Sequence, residues 1–472
     1  MPTLTRLLTV TLSLTATIAC GDSSSNPSST TTDADSTTTN TSNGGGTTAD
    51  TGLGTDPQDS GTPPPDTTPD TTVADTATED AEPDMCPPFT CEDFVVACEG
   101  PDCPTPSNYS QVIPSAGLPA EAEIQLANNN LDVVRHEGRI YMAFRTAPYH
   151  FADAAATLHV FSSEDERTWS FETSINLETD LREPRLLSWD GRLLLYFAVL
   201  GTQPFAFEPQ GMMVSEQRAP GDWTEAEWFH EPGFIPWRTK VVDGIPYMIA
   251  YEGGENIYDL TNGDPIEVHW LTTTDGVNWT PAIPDQPVVL SGGCSETDFV
   301  VLNDGTLIAV SRNEAGDPES GWGSKICRAE ADNLGQWACI SDPRKYDSPL
   351  LFTHHDRVYL VGRRNVTDTG HYDLGGDDLP PAERTSRNLL NYSNTPKRCA
   401  LWEVDPDELS VTLLFDLPSR GDTCFPGVIH LGDSRYAIYN YTSPFNTERD
   451  PSWIEAQSAH TFIYRVEVTF PP

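Results

Sequence analysis

Residues Glu296–Arg312 read ETDFVVLNDGTLIAVSR, two runs of apolar, strand-forming residues separated by a turn at Asn303-Asp304-Gly305. This arrangement predicts a β-hairpin. The same pattern occurs five more times, in LDVVRHEGRIYMAFR (Leu131–Arg145), PRLLSWDGRLLLYFA (Pro184–Ala198), TKVVDGIPYMIAY (Thr239–Tyr251), PLLFTHHDRVYLVGR (Pro349–Arg363) and PGVIHLGDSRYAIYNY (Pro426–Tyr441). A repeat with a period of about 50–60 residues indicates a propeller or a solenoid. Six hairpins therefore predict six blades.

A second, more amphipathic pair of strands follows the hairpins, as in EVHWLTTTDGVNWTPA (Glu267–Ala282) and RCALWEVDPDELSVTLLFDL (Arg398–Leu417). Such pairs supply the outer half of four-stranded blades. A closure strand taken from residues 110–126 would complete the ring, so that no strand edge is exposed. We therefore expect an all-β protein, a monomeric six-bladed β-propeller over residues 105–472.

The N-terminal segment predicts export. Residues 1–20, MPTLTRLLTVTLSLTATIAC, place one Arg before a Leu-rich run that is too short for a stable membrane span. The segment resembles a bacterial lipoprotein signal, which implies a lipid on Cys20 and a location at the outer membrane or cell surface. Cleavage without lipidation and a simple membrane anchor are the alternatives. Residues 21–85 are nearly all Ser, Thr, Asp, Gly and Pro, a composition that predicts a disordered tether.

The formal net charge of -44 argues against nucleic acid as a partner, because phosphate binding requires clustered Lys and Arg. It argues equally against docking on anionic lipid. We therefore expect membrane contact only through the lipid on Cys20.

The nine cysteines other than Cys20 favour disulfides over zinc, since an exported chain enters an oxidising compartment. Four of them crowd the segment 86–104 and are spaced like two small disulfide loops, with a metal knuckle as the alternative: Cys86, Cys91, Cys98 and Cys103. Cys327 and Cys339 flank one outer hairpin and are expected to pair. Cys399 with Cys424 is the next expected pair, which leaves Cys294 free.

Counting from the hairpin turns predicts a polar site. A hairpin pairs residues equidistant from its turn, so Glu296 and Arg312 should lie side by side at one end of their blade. The same count gives Asn129 with Arg145, Arg182 with Ala198, Asp347 with Arg363, and Phe425 with Tyr441. The third hairpin reads as shorter, which places Trp237 or Arg238 opposite Tyr251. All six ends face one mouth, because every inner strand runs in the same sense. Its arginines outnumber its carboxylates, and buried unpaired charge is costly unless an anionic or polar ligand binds. The alternative is a structural lattice of Arg–carboxylate pairs.

Two turns, TTDGVNW (Thr273–Trp279) and SEDERTW (Ser163–Trp169), resemble the Asp-box of sialidase-like propellers, in which the Asp caps a turn and the Trp packs between blades. Glu296 and Arg312 also resemble sialidases, where a Glu opens the inner strand of the fourth blade and an Arg closes that hairpin. The resemblance implies that Glu296 polarises a Tyr nucleophile and that Arg312 is one of three arginines that hold the substrate's carboxylate. Asp153 stands where the family has its acid.

The chain departs from the sialidase pattern in two places. Asn128–Asn130 stand where the family has its first Arg, and Phe425 stands where it has the Tyr, with Tyr441 beside it as a stand-in. The third arginine of the triad would be Arg387 or Arg398. These departures argue against a true sialidase and for altered chemistry on the same scaffold.

The expected function is glycoside hydrolysis of an extracellular, acidic glycan by a pair of carboxyl groups. The candidate catalytic residues are Glu296, Asp153, Glu183 and Tyr441. The candidate substrate-binding residues are Arg145, Arg182, Arg185, Arg238, Arg312, Arg363 and His150. A lectin-like propeller is the first alternative, and a polysaccharide lyase that uses His150 and a Tyr is the second. We expect no cofactor; Ca²⁺ in the acidic loop Asp368–Asp378 is the alternative to a solvated loop.

Overall fold

The computed structural model describes residues 94–204, 206–253, 265–318, 320–446 and 449–472. The predicted signal and tether, together with Cys86 and Cys91, lie outside these residues. Among the described residues, no helix is both long enough and apolar enough to span a membrane.

The described chain forms six antiparallel sheets, which confirms the six-bladed β-propeller. Strand β1 (Thr105–Ile113) enters first and pairs with the last strand of the chain. The first blade contains β2 (Ala127–His136), β3 (Arg139–Ala147), β4 (Thr157–Ser163) and β5 (Ser170–Ile175). The second contains β6 (Asp180–Trp189), β7 (Arg192–Leu200) and β8 (Pro209–Ala219), with β9 (Asp222–Trp223) and β10 (Glu227–Trp228) sharing its outer edge. The third contains β11 (Ile235–Val242), β12 (Ile245–Glu252) and β13 (Ile266–Thr273), followed by β14 (Trp279–Pro281) and β15 (Val288–Gly292).

The remaining three blades each have four strands. The fourth contains β16 (Cys294–Val301), β17 (Leu307–Asn313), β18 (Ser324–Ala329) and β19 (Ala338–Asp342). The fifth contains β20 (Leu350–His354), β21 (Arg357–Asn365), β22 (Lys397–Val404) and β23 (Val411–Asp416). The sixth contains β24 (Gly427–Gly432), β25 (Arg435–Thr442) and β26 (Phe462–Thr469), and β1 is its outermost strand. The closure strand therefore begins at Thr105, earlier in the chain than the predicted 110–126.

Among the residues that the structure describes, two helices lie in connections on the mouth side of the propeller. Helix α1 (Pro381–Ser393) joins β21 to β22, and the short α2 (Trp453–Ala456) joins β25 to β26. Arg384 of α1 binds Asp373 at 2.8 Å and Asp377 at 2.7 Å. These two carboxylates of the acidic loop 368–378 are thus engaged by an arginine, so the loop does not present them as an open Ca²⁺ cage.

The two Ser/Thr-x-Asp turns are closed by their aspartates. Asp165 Oδ1 accepts hydrogen bonds from the backbone of Arg167 at 2.9 Å and of Thr168 at 2.8 Å. Asp275 Oδ1 accepts from the backbone of Val277 at 2.9 Å and of Asn278 at 2.7 Å. The backbone bonds from Thr168 and Arg167 hold the pKa of Asp165 below its usual value, and the side chain and backbone of Asn278 do so for Asp275. The two turns therefore serve the fold rather than the mouth.

The cysteine pairing follows the sequence prediction. Cys327 and Cys339 are opposite each other on β18 and β19 and form a disulfide, as do Cys399 with Cys424 and Cys98 with Cys103. Cys294 is buried and free.

We expect Cys327→Ala with Cys339→Ala to lower the free energy of unfolding by about 3 kcal/mol, because the disulfide closes a short loop in the unfolded chain. Denaturant titration followed by circular dichroism would measure the change. The matched control is Cys294→Ala, which removes a buried thiol but no crosslink and should cost about 1 kcal/mol. Equal losses in the two variants would contradict the prediction.

Candidate functional site

The inner strands depart from regular pairing as they reach the mouth. Register shifts occur between Asn129 and Leu131 on β2 and between Arg182 and Arg185 on β6. Within these bulges Asn130 has a φ of 42° and Glu183 has a φ of 51°. Residues other than glycine adopt such angles at a cost, and bulges of this kind redirect side chains near functional sites. The two side chains meet, since Asn130 Nδ2 donates to Glu183 Oε2 at 3.0 Å.

Four of the six pairs counted from the turns are found. Asn129 is opposite Arg145, and Arg182 is opposite Ala198. The other two pairs are joined by ion pairs, Glu296 with Arg312 at 2.7 Å and Asp347 with Arg363 at 3.0 Å.

One of the two remaining counts is wrong, and the other reaches beyond the paired strands. Ile235, rather than Trp237 or Arg238, is opposite Tyr251, because the third hairpin is not shorter than the others: Ile235 and Tyr251 lie nine before and seven after Gly244. Pairing of β24 with β25 begins only at Gly427, so Phe425 lies ahead of the strand and its backbone N–H bonds to the side chain of Asn440 at 3.1 Å.

Arg145 and Arg182 share one carboxylate. Arg145 Nη2 lies 2.7 Å from Asp180 Oδ1, and Arg182 Nε bonds to Asp180 Oδ2. Arg145 also donates to the backbone carbonyls of Tyr149 and Phe151, and its side chain is fully buried. Arg145 therefore positions the loop after β3, and its side chain offers no exposed surface for the predicted contact with substrate. Arg182 remains partly exposed.

A Tyr–Asp–His contact lies beside this group. The hydroxyl of Tyr441 donates to Asp422 Oδ1 at 2.9 Å, and His150 Nδ1 lies 2.6 Å from Asp422 Oδ2. Burial lowers the pKa of His150. Burial alone would raise the pKa of Asp422, but the nearby His150 and Arg363 outweigh this effect and lower that pKa. At neutral pH the ring is therefore neutral and donates from Nδ1 to the carboxylate, which leaves Nε2 as the basic nitrogen. The His150 side chain keeps 13% of its surface exposed.

Glu296 lies between a cation and a backbone donor. Its Oε1 lies 2.7 Å from Arg312 Nη1, and its Oε2 accepts from the backbone N–H of Ser348 at 2.6 Å. Burial raises the pKa of Glu296 to about 7; Arg312 opposes this shift, and the negative charges of Asp347 and Glu183 add to it. This carboxyl group is therefore half protonated near neutral pH.

Asp347 and Arg363 extend the network through the fifth blade. Asp347 Oδ2 accepts from Tyr392 of α1 at 2.8 Å as well as from Arg363. Arg363 Nε donates to the carbonyl of Thr423 at 2.7 Å. Burial raises the pKa of Asp347, but Lys345 and Arg363 outweigh it and bring that pKa to about 2. Asp347 is thus an ionised anchor, whereas Glu296 titrates.

The two other predicted acids differ in their surroundings. The charge of Glu183 contributes to raising the pKa values of both Glu296 and Tyr441, so Glu183 belongs to the same mouth. Asp153 instead accepts from the backbone of Ala155 at 2.8 Å in its own loop, and its carboxylate raises the pKa of Tyr149 to about 12. Asp153 therefore caps its loop.

Arg185 and Arg238 lie on the axis below the mouth, which corrects their assignment as substrate-binding residues. Arg238 donates to the carbonyl of Pro349 at 3.1 and 3.2 Å and to that of Pro426 at 3.2 Å, thereby linking three blades. It also lines a cavity of about 480 Å³ whose other walls include residues near the hairpin turns.

Arg185 is fully buried and makes no hydrogen bond to any described residue. Its guanidinium stacks 4.9 Å from the ring of Trp237 and 4.4 Å from that of Phe425. Burial, together with the nearby charge of Arg238, lowers the pKa of Arg185 to about 9.

The charge balance of the mouth also differs from the prediction. Among the described residues, every predicted mouth arginine apart from Arg185 has a carboxylate partner: Arg145 and Arg182 with Asp180, Arg312 with Glu296, Arg363 with Asp347, and Arg238 with Asp298 at 3.9 Å. Sequence reasoning missed Asp180 and Asp422. Asp180 had a signal, since it lies two residues before Arg182 and so on the same face of β6. Asp422 lies in a loop that no hairpin count reaches.

No protein-family model matches the sequence, and the comparison with curated proteins finds no match. Among solved structures, a protein of unknown function from Dyadobacter fermentans has a TM-score of 0.52 at 14% identity, over 78% of this chain and 99% of that chain. A mutant of Trypanosoma rangeli sialidase that displays trans-sialidase activity has a TM-score of 0.49 at 11% identity over 77% of this chain. The Hadza microbial sialidase Hz136 has a TM-score of 0.45 at 13% identity over 72% of this chain. This chain spans 58% and 66% of those two sialidase chains. At these identities the likeness to known structures extends to the fold alone.

Proposed function

We propose that the propeller mouth hydrolyses a glycan, with Glu296 as the general acid and Glu183 as the second carboxyl group. The observation that carries this proposal is the pKa of Glu296, which burial raises to about 7. Glycosidases need one carboxyl group that stays protonated to donate to the leaving oxygen and one that stays ionised. Glu296 suits the first role, and Glu183 is close enough to influence its pKa.

An acidic glycan suits this site because protonation of Glu296 changes the charge around Arg312. While Glu296 is ionised, it neutralises Arg312 at 2.7 Å. Once Glu296 is protonated, the guanidinium has less compensating charge and can pair with a carboxylate or sulfate of the substrate. The proton that makes Glu296 a catalytic acid thus also favours an anionic ligand.

The rate of cleavage should fall as pH rises above about 7. Glu296 must be protonated to act as the acid, and each pH unit above its pKa lowers the protonated fraction tenfold. The measurement is kcat/KM against pH, which reports the free enzyme. If kcat/KM decreased only as the pH was lowered and stayed constant above pH 7, the result would contradict this assignment.

A screen of acidic and neutral glycan libraries, scored for both cleavage and retention, tests the function itself. New reducing ends without ultraviolet absorbance would support hydrolysis. Retention without cleavage of any glycan would instead indicate a lectin-like propeller.

One observation favours a polysaccharide lyase as the second candidate. Asp422 holds His150 so that its Nε2 is the basic nitrogen, and Tyr441 bonds to the same carboxylate. A neutral histidine can remove the proton beside a uronate's carboxylate, which leads to elimination and a conjugated double bond in the product. Ultraviolet absorbance of the products therefore separates lyase from hydrolase.

The proposal includes the setting in which the mouth works. We propose that the chain is exported and anchored by a lipid on Cys20, with residues 21–85 as a tether that allows the propeller to reach extracellular glycans. Metabolic labelling with a fatty acid, compared between the wild type and Cys20→Ala, tests the anchor.

A further inference from the structure

A second cluster of ionisable side chains lies on the third blade, apart from the proposed catalytic residues. We propose that Glu252, Glu267 and His269 bind a transition-metal dication, with Zn²⁺ as the best fit to the donors. Glu252 is the last residue of β12, and the other two residues lie near the start of β13. The cluster is therefore at the mouth end of the blade.

The three donor atoms already have the spacing of a metal site. His269 Nε2 lies 3.2 Å from Glu252 Oε1 and 3.8 Å from Glu267 Oε2. One donor atom from each residue lies within 4.8 Å of the other two. Ligands at about 2.0–2.1 Å from a tetrahedral Zn²⁺ are roughly 3.3–3.5 Å apart, so small side-chain rotations would complete the site.

The ring of His269 is buried, and its Nε2 has no hydrogen-bond partner among the described residues. His269 is 8% exposed, and Phe234 packs edge-on against its ring with a centroid distance of 4.9 Å. Despite the nearby carboxylates, its Nε2 makes no hydrogen bond of acceptable geometry to any described residue. A buried polar nitrogen of this kind requires a partner, and a metal ion between it and the carboxylates supplies one.

The strand register provides an independent argument. Glu252 and Glu267 are directly opposite each other in the β12–β13 ladder. Like charges in this position destabilise a sheet, because their side chains are held within a few ångströms of each other. Glu267 and His269 are two residues apart and therefore share one face of the strand. A dication bound on that face would turn the repulsion into attraction.

The donor set selects the class of metal. Imidazole nitrogen suits Zn²⁺ and its neighbours among the transition metals, whereas Ca²⁺ and Mg²⁺ prefer oxygen ligands alone. Three protein ligands leave at least one coordination position for water or for an oxygen atom of a ligand at the mouth.

Isothermal titration of the metal-stripped full chain with ZnCl₂ tests this site, with CaCl₂ in a parallel titration. We expect one Zn²⁺-binding event per chain whose affinity is higher than that of any weak binding elsewhere on the protein. Glu267→Gln and His269→Asn should each weaken that event by more than the roughly 10–100-fold typical of losing an outer-sphere partner. The matched control is Glu225→Gln with Glu227→Gln, which removes two exposed carboxylates two residues apart on the second blade and should leave the event unchanged.

Thermal unfolding gives a second readout that does not depend on glycan cleavage. Zn²⁺ should raise the Tm of the wild type and of the control, but not that of Glu267→Gln. Glu267 is partly exposed, so this variant should fold even if His269→Asn does not. Equal Zn²⁺ affinity in Glu267→Gln and the wild type, or binding of Ca²⁺ in preference to Zn²⁺, would overturn the proposal.

Discussion

Replacing Glu296 by Gln should lower kcat/KM for glycan cleavage by about 10²–10⁴-fold, the range expected when a general acid is lost. Gln has the shape of protonated Glu but cannot donate a proton at neutral pH. Its amide oxygen can still accept from the backbone N–H of Ser348 or from Arg312, so the variant should fold. Binding of the glycan should persist, because the substitution leaves Arg312 less neutralised than the ionised Glu296 does. Reducing-end assays with binding measurements on the same glycan would show both effects.

Glu314→Gln is the matched control for this substitution. Glu314 also lies near Arg312, at 3.5 Å, but its main partner is the buried Lys345 at 2.5 Å. The control thus removes a carboxylate from the same arginine without removing the proposed acid, and it should keep most of the activity. Unchanged cleavage in Glu296→Gln, or an equal loss in the control, would show that Glu296 only anchors Arg312. Ultraviolet absorbance of the products would then decide between a lyase and a hydrolase that uses another acid.

Much of the fold could be predicted from the sequence, because each blade repeats one local pattern. Two runs of strand-forming residues on either side of a turn such as Asn303-Asp304-Gly305 specify a hairpin. The number of repeats then gives the number of hairpins around the axis. The closure strand was harder to locate. Its burial pattern in β1 is irregular, with two register shifts against β26, so little in the sequence of residues 105–113 distinguishes it from the segment that follows.

The candidate site could be predicted only where side chains follow the ladder. Glu296 with Arg312 obeys the hairpin count, and so does Asp347 with Arg363. The count failed at Trp237 because the third hairpin was taken as shorter than the others, whereas its strands keep the same spacing around Gly244, bulge included. A count from a hairpin turn cannot find a partner that comes from another blade. Asp422 reaches His150 across 272 residues of chain, and that contact depends on closure of the ring.

The axial arginines show why residue type alone misassigned part of the site. Arg185 and Arg238 each lie six residues before their turn glycine, whereas Arg182 lies nine before it. At about 3.3 Å per residue, a three-residue difference places the first two up to about 10 Å deeper along the strand. An arginine at that depth supports the axis, and one at the strand's end can contact substrate.

Replacing Arg238 by Met should lower the free energy of unfolding by about 3–5 kcal/mol, as expected when one partner of a buried polar network is removed. The substitution takes the donors away from the carbonyls of Pro349 and Pro426, which would be left buried in the axis. Asp298, 3.9 Å from Arg238, would retain only Lys240 as a cationic partner among the described residues. The third blade would thereby lose the Arg238 bonds to the fifth and sixth, although Lys240 would still donate to the carbonyl of Leu351 in the fifth. Denaturant titration followed by tryptophan fluorescence would measure the loss.

Arg185→Met provides the comparison, because it makes the same change at the equivalent position of the neighbouring blade. Arg185 makes no hydrogen bond to the described residues, and its charge is desolvated beside Arg238. Its removal gives up stacking on Trp237 and Phe425 and the attraction of Asp132, but an apolar side chain in place of a poorly compensated buried ion is often neutral or stabilising. We therefore expect a change within about 1 kcal/mol or a gain in stability. Equal destabilisation by Arg185→Met and Arg238→Met would contradict the prediction, because it would mean that the hydrogen bonds of Arg238 across the axis add no stability beyond that of a buried arginine.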